Sequence, residues 1–153
     1  MSTNQQLYSL MIVNRAGGLI YSKLCVAHTL NTNDLLRIAS TFHGINAIAK
    51  YSITTTNKPS GCTIGLQQLP IVTHGIHTIE YNSKYRIQSM ETLTGMKFIC
   101  TSNISMPIAT CERYLHSLYE LYSDYVLKNC FYDIDNPIRV DKFDSCVQQL
   151  CMT

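Results

Sequence analysis

The chain has 153 residues, a length that suits one domain with a hydrophobic core of its own. Its net charge is only +2 and no basic run is present, which argues against charge-driven binding to nucleic acid or to an anionic membrane. Charged residues make up 14% of the chain, against about 25% in an average soluble domain. This low charged fraction predicts either that another protein covers part of the surface or that uncharged polar residues make up much of it.

The chain opens with a predicted β-hairpin. The apolar stretch Leu7–Val13 runs into a polar break with Gly17 and Gly18, and apolar residues resume from Leu19 to about Leu24. Glycine supplies the positive φ angle that a tight hairpin turn requires. The first strand is almost wholly apolar, which is typical of a strand covered on both faces. We therefore expect helices on both sides of the sheet.

A long amphipathic helix follows, with Asn33 as its predicted N-cap. Apolar residues at steps of three and four form its predicted inner row: Leu35, Ile38, Phe42, Ile45 and Ala49. A second row widens the apolar surface beyond what one sheet face covers: Leu36, Ala39, Ala47 and Ile48. Residues 54–61 are a loop by composition, and residues 62–73 fit a poor strand or an extended loop equally well.

Three further strands are predicted over residues 76–81, 84–92 and 96–101. The middle strand alternates polar and apolar side chains, so we expect it to be half-buried at most. Pro107 opens a long helix that we expect to end near Asn129, and Asp141 caps a short C-terminal helix. The order is β-β-α-β-β-β-α-α in a single α+β domain over residues 1–153, with one helix on one sheet face and two on the other.

The seven cysteines are odd in number, and no two are spaced as CxxC. This pattern predicts free thiols in the core rather than a zinc site or a disulfide framework. We therefore expect neither a structural metal nor a disulfide.

No signal peptide is evident, and no apolar run reaches the roughly 20 residues that a membrane-spanning helix requires.

No catalytic, nucleotide-binding or metalloprotease motif is present, so we assign no catalytic residue, cofactor or metal ligand. His74 and His77 would lie on opposite faces of a strand, which is wrong for joint metal binding. Glu80 and Glu91 could be neighbours across the sheet, but no nucleophile accompanies them. A solvated sheet face is the better interpretation of that pair.

Several phrases of the chain resemble the synbindin family, small subunits of the TRAPP vesicle-tethering complexes. They are VNRAGGLIY (13–21), IASTFHGINAIA (38–49), ETLTGMKF (91–98) and LYELYSDYVLKNCFYDIDNPIRVDKFD (118–144). The last is long and specific. One departure is clear, because animal synbindins carry a PDZ-like insertion between the second strand and the first helix. Residues 24–33 leave no room for one.

The resemblance implies a longin-like fold and a non-catalytic role. The expected partners are other TRAPP subunits and, through the assembled complex, a Rab-family GTPase whose nucleotide exchange the complex promotes in ER-to-Golgi transport. The expected location is cytoplasmic, peripheral at cis-Golgi and ER–Golgi intermediate membranes, with membrane association only through the complex. No nucleic acid is expected as a partner.

The first helix is the predicted protein interface, because its apolar surface is wider than one sheet face can cover. Paired longin domains often present this helix to a small GTPase, which points the same way. The candidate interface residues are Leu36, Arg37, Ala39, His43, Ala47 and Lys50. The alternative is that the helix is rotated or that residues 54–73 bury both rows within the monomer.

A second class of function is a small-molecule sensor of PAS or GAF architecture, which also wraps helices around a five-stranded sheet. It requires a concave apolar pocket with a few polar groups. A helix packed on each sheet face argues against such a hollow, so we expect none.

Overall fold

The computed structural model describes residues 6–26, 30–56, 76–81 and 83–152. Strands β1 (Leu7–Val13) and β2 (Leu19–Leu24) pair antiparallel within the predicted bounds. Gly17 has a φ of 95°, which confirms why the turn needs glycine. A Cβ atom at Gly17 would lie 2.8 Å from Cδ2 of His43, so the hairpin turn packs directly against the first helix.

Three more strands complete one antiparallel sheet: β3 (Thr78–Tyr81), β4 (Tyr85–Glu91) and β5 (Lys97–Asn103). The spatial order is β2-β1-β5-β4-β3. The N-terminal hairpin therefore supplies one edge strand and one interior strand. The predicted strand limits differ from the observed ones by no more than two residues.

The helices are α1 (Thr32–Thr56), α2 (Ile108–Leu121) and α3 (Asp141–Met152), and a π-helical segment, Tyr122–Leu127, extends α2. Residues 54–56 belong to α1, so the predicted start of the loop at residue 54 is wrong. Residues 57–73 lie outside the described part of the chain. Within that part, no helix combines the length and the apolar character needed to cross a bilayer.

The two faces of the sheet carry two separate cores. On one face Met11, Val13 and Ile99 pack against α1. On the other, Phe98 and Cys100 belong to the larger core that holds α2 and α3. Since side chains alternate along a strand, neighbouring residues of β5 serve opposite cores. One helix on one face and two on the other confirms the predicted α+β arrangement and the longin-like fold that the resemblance implies.

Strand β4 is more buried than its polar sequence predicts. Arg86, Gln88 and Ser89 are all less than 9% exposed. The guanidinium group of Arg86 donates to the carboxylate of Glu80 and to the backbone carbonyl of Met106. A buried charge requires such partners, and these bonds fasten β3 and the entrance of α2 to β4. The expectation of a strand half-buried at most is wrong at these three positions.

The cysteines depart from the prediction at one pair. Cys25, just after β2, forms a disulfide with Cys151 near the end of α3, and their Cα atoms are 5.2 Å apart. Spacing along the chain could not reveal this pair because 126 positions separate the two residues. The expected absence of a disulfide is therefore wrong. Four other cysteines in the described ranges are free, as predicted: Cys100, Cys111, Cys130 and Cys146.

Candidate protein-interaction surface

Helix α1 turns a different face to the sheet from the predicted one. Its buried positions are Leu35, Ala39, Phe42 and Asn46, each 2% exposed or less. Their steps of four, three and four still form a helical stripe. Ile45, predicted in the inner row, is 43% exposed, and Ala39, predicted as an interface residue, faces the core. Both placements are corrections to the sequence-based interpretation.

A polar anchor accounts for the rotation of α1. The side-chain amide of Asn46 donates to Oε2 of Glu91 at 3.2 Å, and its carbonyl oxygen accepts from the backbone N–H of Ile76 at 2.9 Å. Both bonds point toward the sheet, so Asn46 must face inward. Ile45, one residue earlier and about 100° away around the helix, then turns toward the helix flank.

Lys50 strengthens the same anchor. Its ammonium group lies 2.6 Å from Oε1 of Glu91. Burial raises the pKa of Glu91, but the hydrogen bonds from Lys50 and Asn46 outweigh it and hold that pKa below its usual value. Lys50 is one of the residues predicted for the interface. The structure gives it an internal partner and leaves about a third of its side chain exposed.

The side chain of His43 packs against the rest of the fold. It is half-buried, and its ring lies against Gly17 in the hairpin turn. Burial, with the nearby charge of Lys97, lowers the pKa of His43. A neutral imidazole at the junction of α1 and the turn is therefore the favoured form at neutral pH.

The remaining candidates are accessible. Leu36 is 49% exposed, and Arg37 and Ala47 are also exposed. Further along α1, Ile48 and Tyr51 are 68% and 72% exposed. Gly44 has open space on its outer side, so nothing else in the described chain covers this helix there. An exposed apolar helix face of this kind is typical of a protein contact surface.

The flank of α1 next to β3 and β4 borders a groove of about 500 Å³. Ile38, Phe42 and Ile45 form one wall, and Ile79 and Ile87 form the other. Among the described residues, α1 lies over β1 and β2 and leaves much of the β3–β4 part of the sheet uncovered. The expectation that packed helices leave no hollow is therefore wrong.

A second exposed apolar surface, which the sequence analysis missed, lies on the α2 side of the sheet. Leu93 in the β4–β5 turn and Phe131 after the π-helical segment are each 95% exposed. Leu93, Leu127 and Ile134 border a groove of about 550 Å³ beside α2. The sequence did carry a signal for this surface, because Leu93 and Phe131 are apolar residues that each lie inside a polar turn.

Catalytic and metal chemistry find little support in the described residues. Glu80 lies opposite Arg86, five positions from Glu91 along β4, or about 16 Å at the rise of a strand. The two carboxylates thus do not form a pair. Among the described residues, no three His, Cys, Asp or Glu side chains are close enough to hold a metal ion. His77 is exposed, and His74 lies outside the described residues.

Comparison with known proteins identifies relatives along almost the whole chain. Residues 7–153 match the model of the Sybindin-like family. A Dictyostelium discoideum protein named "Trafficking protein particle complex subunit 4" is 36% identical over 143 residues, which cover 93% of each chain. Bovine and human proteins of the same name are 31% identical over 115 residues. That match covers 75% of this chain but only 44% of each mammalian relative.

Proposed function

Because this chain belongs to the Sybindin-like family, we propose that it is a non-catalytic subunit of a TRAPP-type vesicle-tethering complex. The observation that carries the proposal is the match to the Dictyostelium relative, which extends over 93% of both chains. Agreement over that length argues for the same kind of assembly and not merely for a shared fold. The mammalian relatives are more than twice as long as the matched region, so they support the assembly role alone.

The proposal extends to the process. The complex would promote nucleotide exchange on a Rab-family GTPase during ER-to-Golgi transport, with this subunit on the cytoplasmic side at cis-Golgi and ER–Golgi intermediate membranes. Contact with the membrane would be peripheral and made through the complex. The support for these points is the family resemblance of the sequence phrases quoted above.

Helix α1 is the surface that we assign to partner contact. Leu36, Arg37 and Ala47 are exposed there, whereas Ala39 is buried and His43 is held against the hairpin turn. Lys50 lies at the edge of this surface with its charge paired to Glu91. The assigned contact surface is therefore Leu36, Arg37 and Ala47, with Lys50 at its rim.

Affinity purification tests the proposal. The full chain carrying a tag would be expressed in its native cells, and the captured proteins would be identified by mass spectrometry. We expect a stoichiometric set of small subunits related to TRAPP components. A chain that elutes alone, or only with a second copy of itself, would rule out the subunit role.

A matched pair of variants locates the contact. Leu36→Glu alters α1, whereas Met152→Glu alters a side chain that is 77% exposed at the end of α3. We expect the first to reduce recovery of the other subunits and the second to leave it unchanged. Equal recovery with both variants would exclude α1 as the contact surface.

A further inference from the structure

The groove beside α1 is apolar along its length and polar at one end. Lys50, late in α1, pairs with Glu91 at the end of β4, so the early turns of α1 lie at the opposite end of that strand, near Tyr85. Arg37, Tyr81 and Tyr85 line the groove at this end. Ile45, one of the residues that line its apolar length, lies further along α1. The groove therefore has one polar end and an apolar length, which suits a ligand with a polar head group and a hydrocarbon tail.

Arg37 is the one charged side chain that borders the groove among the described residues. It is exposed, and no carboxylate of the described chain forms an ion pair with it. An arginine guanidinium group binds a carboxylate through two parallel hydrogen bonds. The tyrosines beside it add hydroxyl groups. The polar end therefore suits a single carboxylate.

Along the length of the groove, the described lining between Ile38 and Ile87 offers the hydroxyl groups of Thr41 and Thr101 among otherwise apolar side chains. The hydroxyl of Thr101 is already bonded to the hydroxyl of Ser9 at 2.7 Å. The backbone groups on the free edge of β3 point in the plane of the sheet and not into the groove. An extended peptide in the groove would leave backbone N–H and C=O groups without partners from the protein. A hydrocarbon chain needs none.

We propose that this groove binds one free fatty acid, with the carboxylate at Arg37 and the alkyl chain along Ile38, Ile45 and Ile87. The volume of about 500 Å³ lies within the range of roughly 300–1,000 Å³ typical of sites for small organic ligands. The inference shares Arg37 with the assigned contact surface, but it is tested on the isolated chain, so its outcome does not depend on the proposed role in a tethering complex.

Calorimetric titration of the full chain with laurate, below the concentration at which laurate forms micelles, tests the proposal. We expect one saturable site, with affinity rising about two- to fourfold for each methylene added across a series from octanoate to myristate. Absence of saturable binding, or affinity independent of chain length, would overturn the proposal.

Two pairs of measurements separate specific binding from adsorption to apolar surface. Ile45→Glu places a charge in the groove wall, whereas Ile48→Glu changes an exposed isoleucine of the same helix that does not line the groove. We expect the first variant to abolish laurate binding and the second to preserve it. Arg37→Gln should weaken laurate binding about tenfold and leave dodecanol binding unchanged. Equal effects of either pair would contradict the assignment.

A measurement on the unmodified chain covers the case in which Ile45→Glu fails to fold. Nuclear Overhauser contacts between laurate methylenes and the methyl groups of Ile79 and Ile87 are expected. Contacts confined to Leu93 and Leu127, in the groove beside α2, would place the ligand elsewhere and overturn the proposal.

Discussion

The hydroxyl group of Tyr21 on β2 donates a 2.8 Å hydrogen bond to the carboxylate of Asp144 on α3. Nζ of Lys23 lies 2.9 Å from the other oxygen of that carboxylate, and the ring of Tyr21 packs edge-on against Phe143. Strand β2 is an edge of the sheet. This cluster therefore fastens the last helix to the first hairpin, and the hydrogen bonds from Lys23 and Tyr21 lower the pKa of Asp144.

Removal of the Tyr21 hydroxyl should destabilise the fold. We expect Tyr21→Phe to lower the free energy of unfolding by about 1 kcal/mol, because one partly buried hydrogen bond is lost while Lys23 still pairs with Asp144. Urea unfolding measures the change. Tyr81→Phe is the control, since its ring is 62% exposed, and should stay within about 0.5 kcal/mol of the unmodified chain. Equal losses for both variants would show that the bond to Asp144 contributes nothing.

Glu91 should make stability depend on acidity. Its pKa in the folded chain is below the unfolded value of 4.5, so the unfolded chain binds the proton more tightly. The stabilisation is complete above that value and is lost as the pH falls through the folded pKa. Urea unfolding between about pH 7 and pH 3 should show the gap between the unmodified chain and Glu91→Gln narrowing with acid. A constant gap would contradict this, and Glu120→Gln on the exposed side of α2 should show no such gap.

Reduction of the Cys25–Cys151 disulfide should loosen α3. The bond links residues 126 positions apart, and such a bond typically contributes about 2–4 kcal/mol by restricting the unfolded chain. We expect a reductant to lower the melting temperature, and Cys25→Ser to produce the same shift without reductant. Cys130→Ser changes an exposed free cysteine and is the control. An unchanged melting temperature after reduction would show that the two thiols are not bonded in solution.

The rotation of α1 predicts opposite results at two of its positions. Leu36→Glu should change the free energy of unfolding by less than about 0.5 kcal/mol, as exposed substitutions usually do. Phe42→Glu should unfold the chain, because Phe42 is 2% exposed and a charge there has no partner. Circular dichroism during thermal unfolding compares the two. Similar destabilisation by both would place Leu36 in the core.

The isolated chain should not accelerate nucleotide release from a Rab-family GTPase. The proposed exchange activity belongs to the assembled complex and not to this subunit by itself. Release of a fluorescent GDP analogue from the GTPase, followed at micromolar concentrations of the purified chain, measures this. Clear acceleration without partner subunits would contradict the non-catalytic role.

The strands and their order along the chain could be predicted from local signals. The two apolar stretches around Gly17 predicted both ends of β1 and the start of β2 to the residue, because a tight turn between apolar runs favours a hairpin. The family was also evident, since the phrase over residues 118–144 is long and specific. The sequence likewise predicted that α1 would be amphipathic and would carry an exposed apolar face.

Only the tertiary structure decided which face of α1 is buried and which cysteines meet. Periodicity defines a helical stripe, but it does not decide which side of a broad apolar surface faces the sheet: Ala39 is buried and Ile45 is exposed, although each belongs to a predicted apolar row. The inward hydrogen bonds of Asn46 to Glu91 and Ile76 settle the rotation. The pairing of Cys25 with Cys151 depends on α3 returning to the β2 edge, a contact between distant parts of the chain that no local pattern encodes.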